Sequence, residues 1–194
     1  MPDPQDAPPG APSPREALGQ CHRCIAGMLD RLDALAGLLA AGGHAPDLPT
    51  RARTLVAELD EALAVHTADE ETDVFPALLA AADSPARRAQ AFELVSSLLV
   101  EHRELAELWH ALRVPLLALG GGVAVAFPGG TAADFLLRAR GHLARETGEL
   151  AELMGVLDPR RSREIGVSLA ARHDAACPRF RDRPEEALRT FPAA

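Results

Sequence analysis

Histidines and glutamates interrupt the apolar stripes of several helical patterns in this sequence. In the stretch HTADEETDVFP, His66 is followed four residues later by Glu70, and HLARETGEL repeats the spacing with His142 and Glu146. Residues four apart lie on one face of an α-helix, one turn apart. Each H-x-x-x-E pair therefore presents an imidazole and a carboxylate toward the same side of its helix.

Two single histidines occupy similar positions on two other apolar stripes. His22 follows Leu18 on the first stripe, and His102 precedes Leu105 on the third. An uncompensated buried carboxylate costs several kcal/mol, whereas carboxylates and imidazoles together suit iron, manganese or zinc. Two inward carboxylates predict a site for two metal ions. The predicted metal ligands are His22, His66, Glu70, His102, His142 and Glu146.

Long helices must bring these side chains together. Apolar residues recur at helical spacing in four long segments, which predicts an all-α, up-down antiparallel four-helix bundle with a short extra C-terminal helix. Glycine- and proline-rich breaks separate the segments, and Pro115 is expected to end or kink the third helix early. The predicted helices span about 14–41, 50–82, 85–119, 131–157 and 161–172.

The lengths of the connections place the histidines at similar heights. Ser84, a predicted N-cap, is about 18 residues from both His66 and His102, and Gly43 is about 21 residues from His22 and about 23 from His66. At 1.5 Å per residue, a mismatch of two residues is about 3 Å. The third connection matches less closely because its glycine loop is long. The four helices are therefore expected to deliver polar ligands to one level of the core.

Composition limits the functional class. The chain has 194 residues, of which 47% are hydrophobic and 25% charged, and a net charge of −8, which argues against nucleic-acid binding. No apolar run approaches the ~20 residues of a membrane span, and the acidic, proline-rich N-terminus lacks the features of a signal peptide. Three cysteines, an odd number, favour a reducing cytoplasm over a disulfide framework. The expected organisation is a disordered tail at 1–14, the bundle at 15–173 and a loose tail at 174–194.

Residues next to the predicted ligands have plainer interpretations. Cys21 and Cys24 are interpreted as small core residues, with a redox role toward the metals as the alternative. Asp69 and Glu71 are each rotated by about 100° from Glu70 on an ideal helix, so they are expected to be solvated, with Asp69 a weak alternate ligand.

Four further side chains are assigned no part in the site. Arg103 and Arg145 are expected to face water, and His44 and His173 lie in a loop and near the tail. Two aromatic residues near the motifs, Trp109 and Phe75, are predicted to pack in the core.

The ordered set of motifs resembles the hemerythrin-like, or HHE cation-binding, family over about residues 15–173. The matching stretches are CHRCIAGMLDRL, HTADEETDVFPAL, EHRELAELW and HLARETGEL, followed by LDPRRSREIGVSLAARH. The resemblance implies two non-haem iron ions, oxo- or hydroxo-bridged, with manganese as an alternative. It also implies that Glu70 and Glu146 bridge the metals and that the four histidines are terminal ligands.

The third helix departs from the oxygen-carrying members of that family, which have H-x-x-x-H there. The residue four after His102 is Ala106, and His110 lies about 12 Å along the helix and is turned by about 80°. The missing histidine is expected to leave a coordination position open to a small ligand. This pattern is similar to that of hemerythrin-like proteins associated with nitric-oxide stress, iron–sulfur repair, or iron and oxygen sensing.

The sequence thus predicts a cytoplasmic di-iron protein that binds oxygen, nitric oxide or peroxide for sensing, detoxification or iron handling. Three alternatives remain at this point. The chain can be a di-iron oxidase or reductase, an iron donor for iron–sulfur cluster repair, or an interaction module whose metal is purely structural. The sequence leaves the oligomeric state open.

Overall fold

The computed structural model describes residues 12–43 and 45–176, and these residues form five helices with no β-strand among them. The all-α prediction is confirmed, and the predicted helices are found within a few residues of their expected bounds. The bounds are Pro14–Ala40 for α1; Leu48–Ala68, Asp69–Val74 and Phe75–Ala81 for α2; Pro85–Gly120 for α3; Gly129–Arg145, Glu146–Leu150 and Ala151–Leu153 for α4; and Pro159–Ala176 for α5. The middle segments of α2 and α4 are π-helical turns, and a 3₁₀ turn, Met154–Val156, follows α4.

Side chains of serine cap the starts of α1 and α3. Ser13 Oγ accepts a hydrogen bond from the Glu16 amide, and the Glu16 carboxylate accepts one from the Ser13 amide, which completes a capping box. Ser84 Oγ accepts from the Arg87 amide at the start of α3, as predicted. These bonds satisfy amides that have no partner within the helix.

Pro115 does not end α3. The helix continues to Gly120, so the expectation of an early end was wrong. Leu112 and Leu116 are fully buried on either side of the proline, and packing of that face outweighs the roughly 3 kcal/mol that an internal proline costs.

The four long helices form a closed bundle. Each of α1, α2 and α3 packs against the next helix in the chain, and α4 packs against both α3 and α1. The buried hydrophobic residues fall into two clusters, one on each side of a polar level. Trp109 belongs to one cluster and Phe75 to the other, which confirms both as core residues. The level between the clusters is where the predicted ligands lie.

Helix α5 packs against α1 and against α2 near its π-helical turn. It buries Ile165 and Leu169 in the cluster that contains Phe75. Residues 174–176, predicted to begin the C-terminal tail, continue this helix. At the other end, residues 12–14 of the predicted tail are described, and they include the N-cap Ser13 and Pro14, the first residue of α1. The rest of both predicted tails, 1–11 and 177–194, and His44 lie outside the described residues. Across the described part of the chain, no helix is both long and apolar enough to cross a membrane.

Candidate metal centre

The structure brings all six predicted ligand side chains to one level of the bundle. Helices α1 and α3 contribute one histidine each, and α2 and α4 each contribute a histidine and a glutamate from their H-x-x-x-E pairs. None is more than 8% exposed. The six residues are His22, His66, Glu70, His102, His142 and Glu146.

Glu146 lies at the centre of the cluster. Its Oε1 is 2.6 Å from Nε2 of His142, and its Oε2 is 3.3 Å from Nε2 of both His22 and His66. The second carboxylate, that of Glu70, has its Oε2 3.3 Å from Nε2 of His102. All of these residues except His22 offer one ligand atom within 4.8 Å of every other. His22 joins the group through Glu146.

Both glutamates lie in π-helical turns. Glu70 is in the turn Asp69–Val74, and Glu146 begins the turn Glu146–Leu150. A π-helical turn widens the helix by one residue, so the directions of side chains differ from those of an ideal α-helix. Asp69 and Glu70 are consequently both fully buried. The expectation that Asp69 is solvated was therefore wrong, and its carboxylate contacts α5 rather than joining the ligand cluster.

The inward-facing atoms of this cluster have no hydrogen-bond partners. These atoms are Nε2 of the four histidines and both carboxylate oxygens of the two glutamates. Buried polar atoms in native proteins are almost always satisfied, so a whole layer of unsatisfied nitrogen and oxygen atoms requires an explanation. Imidazole nitrogens and carboxylate oxygens are ligands for iron, manganese and zinc. The residues present therefore fit a metal centre.

Three residues that sequence reasoning did not assign orient the histidines from outside. Glu71 of α2 lies 2.8 Å from Nδ1 of His102, through its Oε1. Glu101 of α3 lies 2.8 Å from Nδ1 of His142, through its Oε2. An acceptor at Nδ1 fixes the proton there and leaves the Nε2 lone pair directed inward, which is the arrangement of metal-bound histidines. The expectation that Glu71 is merely solvated was incomplete.

The third of these residues is Thr147 of α4. Its Oγ1 lies 3.1 Å from Nδ1 of His22. Because the Thr147 hydroxyl donates its own proton to the Leu143 carbonyl oxygen, it is free to accept from the histidine. Glu71, Glu101 and Thr147 have one feature in common that is visible in the sequence, namely that each is the immediate neighbour of a predicted ligand in the chain. In the structure, each contacts the histidine of the next helix around the bundle.

Cys21 extends this pattern to the fourth histidine. It precedes His22 on α1, and its thiol stands beside His66 of α2 as a weak partner, outside normal hydrogen-bond reach of Nδ1. Cys21 is also buried in the core, with Cys24 packed against the same cluster, and both are free thiols. The interpretation of this pair as core residues agrees with the structure, and Cys21 has a position next to the centre in addition.

The two arginines near the ligands differ from each other. Arg103 is exposed, as expected. Arg145 donates hydrogen bonds to Glu101 and to Ser97, so the expectation that it simply faces water was wrong. It holds Glu101 in the position from which that carboxylate orients His142.

The electrostatics of the metal-free cluster favour bound protons. Burial raises the pKa of Glu70 to about 7, despite the neighbouring imidazole of His102. Burial lowers the pKa of His102, but the carboxylates of Glu146 and Glu70 near its Nε2 and the hydrogen bond of its Nδ1 to Glu71 outweigh burial and raise that pKa to about 10. His102 is thus an imidazolium at neutral pH unless a cation replaces its proton.

Glu146 and His66 form the most strongly coupled pair. Burial raises the pKa of Glu146, but the charge of His66 and the nearby imidazoles of His102 and His142 hold it well below its usual range. Burial lowers the pKa of His66, but Glu146 and, to a smaller extent, Cys21 hold it well above its usual range. Protons therefore occupy places that metal ions can take.

A groove of about 560 Å³ leads from the surface to the rings of His66, His102 and His142. Ala106 lines it, so the small side chain at this position leaves open space one turn from His102. Most of its lining surface is apolar and includes Leu63, Leu105, Phe135 and Leu143, while Asp60, Glu71 and Arg113 also line it. His110 lines the groove as well and is exposed, consistent with the expectation that it is not a ligand.

A helical bundle with a buried layer of histidines and glutamates defines a metal-binding domain of the four-helix type. The model of the hemerythrin HHE cation-binding domain family matches residues 13–154, and the chain belongs to this family. No curated protein and no solved structure matches the chain. The matched region contains all six cluster residues and ends before α5 begins at Pro159.

Proposed function

We propose that this protein is a non-haem di-iron protein that binds a small ligand, namely oxygen, nitric oxide or peroxide. Its role is sensing, detoxification or iron handling under oxidative or nitrosative stress, and its proposed setting is the cytoplasm. The observation that carries the proposal is the layer of unsatisfied Nε2 and carboxylate oxygen atoms, which has the composition of a two-metal site.

The number and placement of the carboxylates support two metal ions rather than one. Glu146 lies within 3.7 Å of the Nε2 atoms of four histidines, with one oxygen toward His22 and His66 and the other toward His102 and His142. A carboxylate whose two oxygens face different histidine pairs is placed to bridge two cations. Glu70 approaches the same centre from α2 and supplies a second carboxylate.

Each residue has a defined part in this proposal. The four histidines would hold the iron ions through Nε2, and Glu70 and Glu146 would bridge them. Iron supplies reversible electron transfer and an open position for a small ligand. Glu71, Glu101 and Thr147 keep the Nδ1 protons in place, so the Nε2 lone pairs stay directed at the metals.

The groove supports a small, weakly polar ligand. Most of its lining surface is apolar, which favours uncharged molecules such as oxygen and nitric oxide over hydrated ions. Ala106 widens the groove at the point where oxygen carriers of this family place a further histidine. A ligand that follows the groove therefore arrives at the ring of His102 or His142.

The direct test is metal content and optical spectra of protein purified without air and then exposed to oxygen or nitric oxide. Two irons per chain, with charge-transfer bands on oxidation and a response to at least one gas, are expected. Absence of metal, or a single zinc that ignores both gases, would contradict the proposal and favour a structural bundle. Steady turnover with an electron donor would instead indicate a di-iron oxidase or reductase.

Substitutions of the cluster residues test whether the metal binds at this cluster. His66→Ala and Glu146→Ala are each expected to lose iron, because each removes a ligand from the centre. His110→Ala is the matched control, since this histidine lies in the groove but is exposed and outside the cluster. Unchanged iron content in both ligand variants would show that the metal binds elsewhere.

A further inference from the structure

Asp69 is a fully buried carboxylate that the metal centre does not use. It has no measurable exposure and lies next to Glu70 at the start of the π-helical turn of α2. Its two oxygens face α5: Arg172 donates to Oδ1, and Nε2 of His173 is 2.5 Å from Oδ2. The partners of this carboxylate are thus supplied by a helix outside the matched family domain.

The same helix also holds the other end of the turn. Arg172 donates to Oδ2 of Asp73 at 2.7 Å, and the Ser168 hydroxyl donates to the same oxygen at 2.9 Å. Asp69 and Asp73 are one π-helical turn apart, with Glu70 between them. Arg172 therefore spans the segment that presents Glu70 to the centre.

The contact between Asp69 and α5 constrains the backbone of the π-helical turn. A fully buried carboxylate that loses its cationic partners is strongly destabilising, because its charge is then neither solvated nor paired. Without α5, the turn would relieve that cost by rewinding so that Asp69 reaches water. Because Glu70 is the adjacent residue, rewinding would also turn its carboxylate away from the centre. The contact with α5 thus stabilises the helical geometry that Glu70 requires.

Close packing fixes where α5 can sit. A Cβ atom on Gly166 would lie 2.1 Å from the Pro12 carbonyl oxygen, so the helix meets the chain just before α1 with no space for a side chain. Ile165 and Leu169 are buried on the adjoining face. The helix is therefore anchored independently of its contact with Asp69.

We propose that Arg172 is a positioning residue for the metal centre and that docking of α5 is coupled to metal binding through Asp69 and Glu70. This inference rests on the proposed function, since it requires Glu70 to bind a metal ion. Coupling between two equilibria is reciprocal. If docked α5 strengthens metal binding, bound metal must strengthen the docking of α5 by the same factor.

The test is hydrogen exchange of the full chain, metal-free and loaded anaerobically with ferrous iron. Loading is expected to slow amide exchange in 159–176 as well as around the ligands. Arg172→Ala is expected to lower iron affinity by up to about tenfold, the lower end of the range for direct partners of metal ligands, because Arg172 acts on Glu70 only through the turn, and to abolish the slowing in α5. Arg172→Lys is expected to recover part of both effects.

Arg160→Ala is the control, because Arg160 is on the same helix but only pairs with Glu164 at the surface. Asp69→Asn, which keeps the shape of the side chain, is a second variant should Arg172→Ala fail to fold, and it is expected to weaken iron binding in the same way. Iron bound by the unaltered chain with no change in α5 exchange would overturn the coupling alone. Failure of the unaltered chain to bind iron would overturn this inference and the proposed function together.

Discussion

Metal binding to this cluster is expected to release protons, and the number can be worked out from the structure. The pKa of His102 is about 10 in the metal-free chain, and the pKa of His66 is held well above its usual range. His102 is therefore protonated at pH 8, and the pKa of His66 is shifted in the same direction. Since a metal ion needs the Nε2 lone pair, full loading at pH 8 should release at least about one proton, that of His102.

Removing a proton from His102 so that a metal ion can bind costs considerable free energy. Deprotonating His102 at pH 7 takes about 4 kcal/mol, because its pKa lies about three units higher and each unit is worth about 1.36 kcal/mol. The apparent binding constant should therefore rise by at least about one order of magnitude per pH unit near pH 8, one for each proton released. As the pH falls below 7 the release should increase by up to about one further proton, because Glu70, with a pKa of about 7, also becomes protonated.

The stability of the metal-free chain is expected to fall as the pH rises, whereas its affinity for metal rises. The pKa of His102 is raised on folding from 6.5 to about 10. Its contribution to the free energy of unfolding is therefore fully present below pH 6.5 and is lost as the pH rises toward 10. Raising the pH should weaken the metal-free fold while it strengthens metal binding.

Calorimetric titration with ferrous iron, without air and in two buffers of different protonation enthalpy, counts the protons released. His110→Ala serves as the control and should give the same count, because that residue is exposed and outside the cluster. Release of no proton at pH 8, or an affinity independent of pH, would contradict this prediction. It would show that neither His66 nor His102 gives up a proton to the metal.

Four further outcomes are expected. Glu101→Gln should lower iron affinity about 10–100-fold in an iron-competition assay, because Glu101 orients His142. The control Glu104→Gln changes an exposed residue of the same helix and should leave the affinity unchanged. Equal affinities of the two variants would contradict this prediction. Cys21→Ala should weaken iron binding by a smaller factor in the same assay, since its thiol is only a weak histidine partner. Ala106→His should slow azide and nitric-oxide binding at least about tenfold in stopped-flow spectra with iron content retained, because it fills the groove. Leu112→Ala should cost about 2–5 kcal/mol of unfolding free energy by denaturant titration, without loss of iron.

Both the bundle and the six residues at its centre can be predicted from the amino-acid sequence. Apolar spacing defines which face of each helix is buried, and a histidine or glutamate on that face must lie inside whatever the neighbouring helices do. The near-equal distances from His66 and His102 to Ser84 then place them at one height, because helix rise is constant. These are local regularities, so they can be read without the fold.

Only the tertiary structure decided how the centre is supported. The π-helical turns at Glu70 and Glu146 depend on forces from other helices, since an isolated chain prefers the α-helical pattern. The burial of Asp69 was missed because its partners lie on α5, about 100 residues later in the chain. Glu101 was missed because it acts on a histidine of the next helix. Contacts between distant segments carry no periodic signal, and only the assembled bundle shows them.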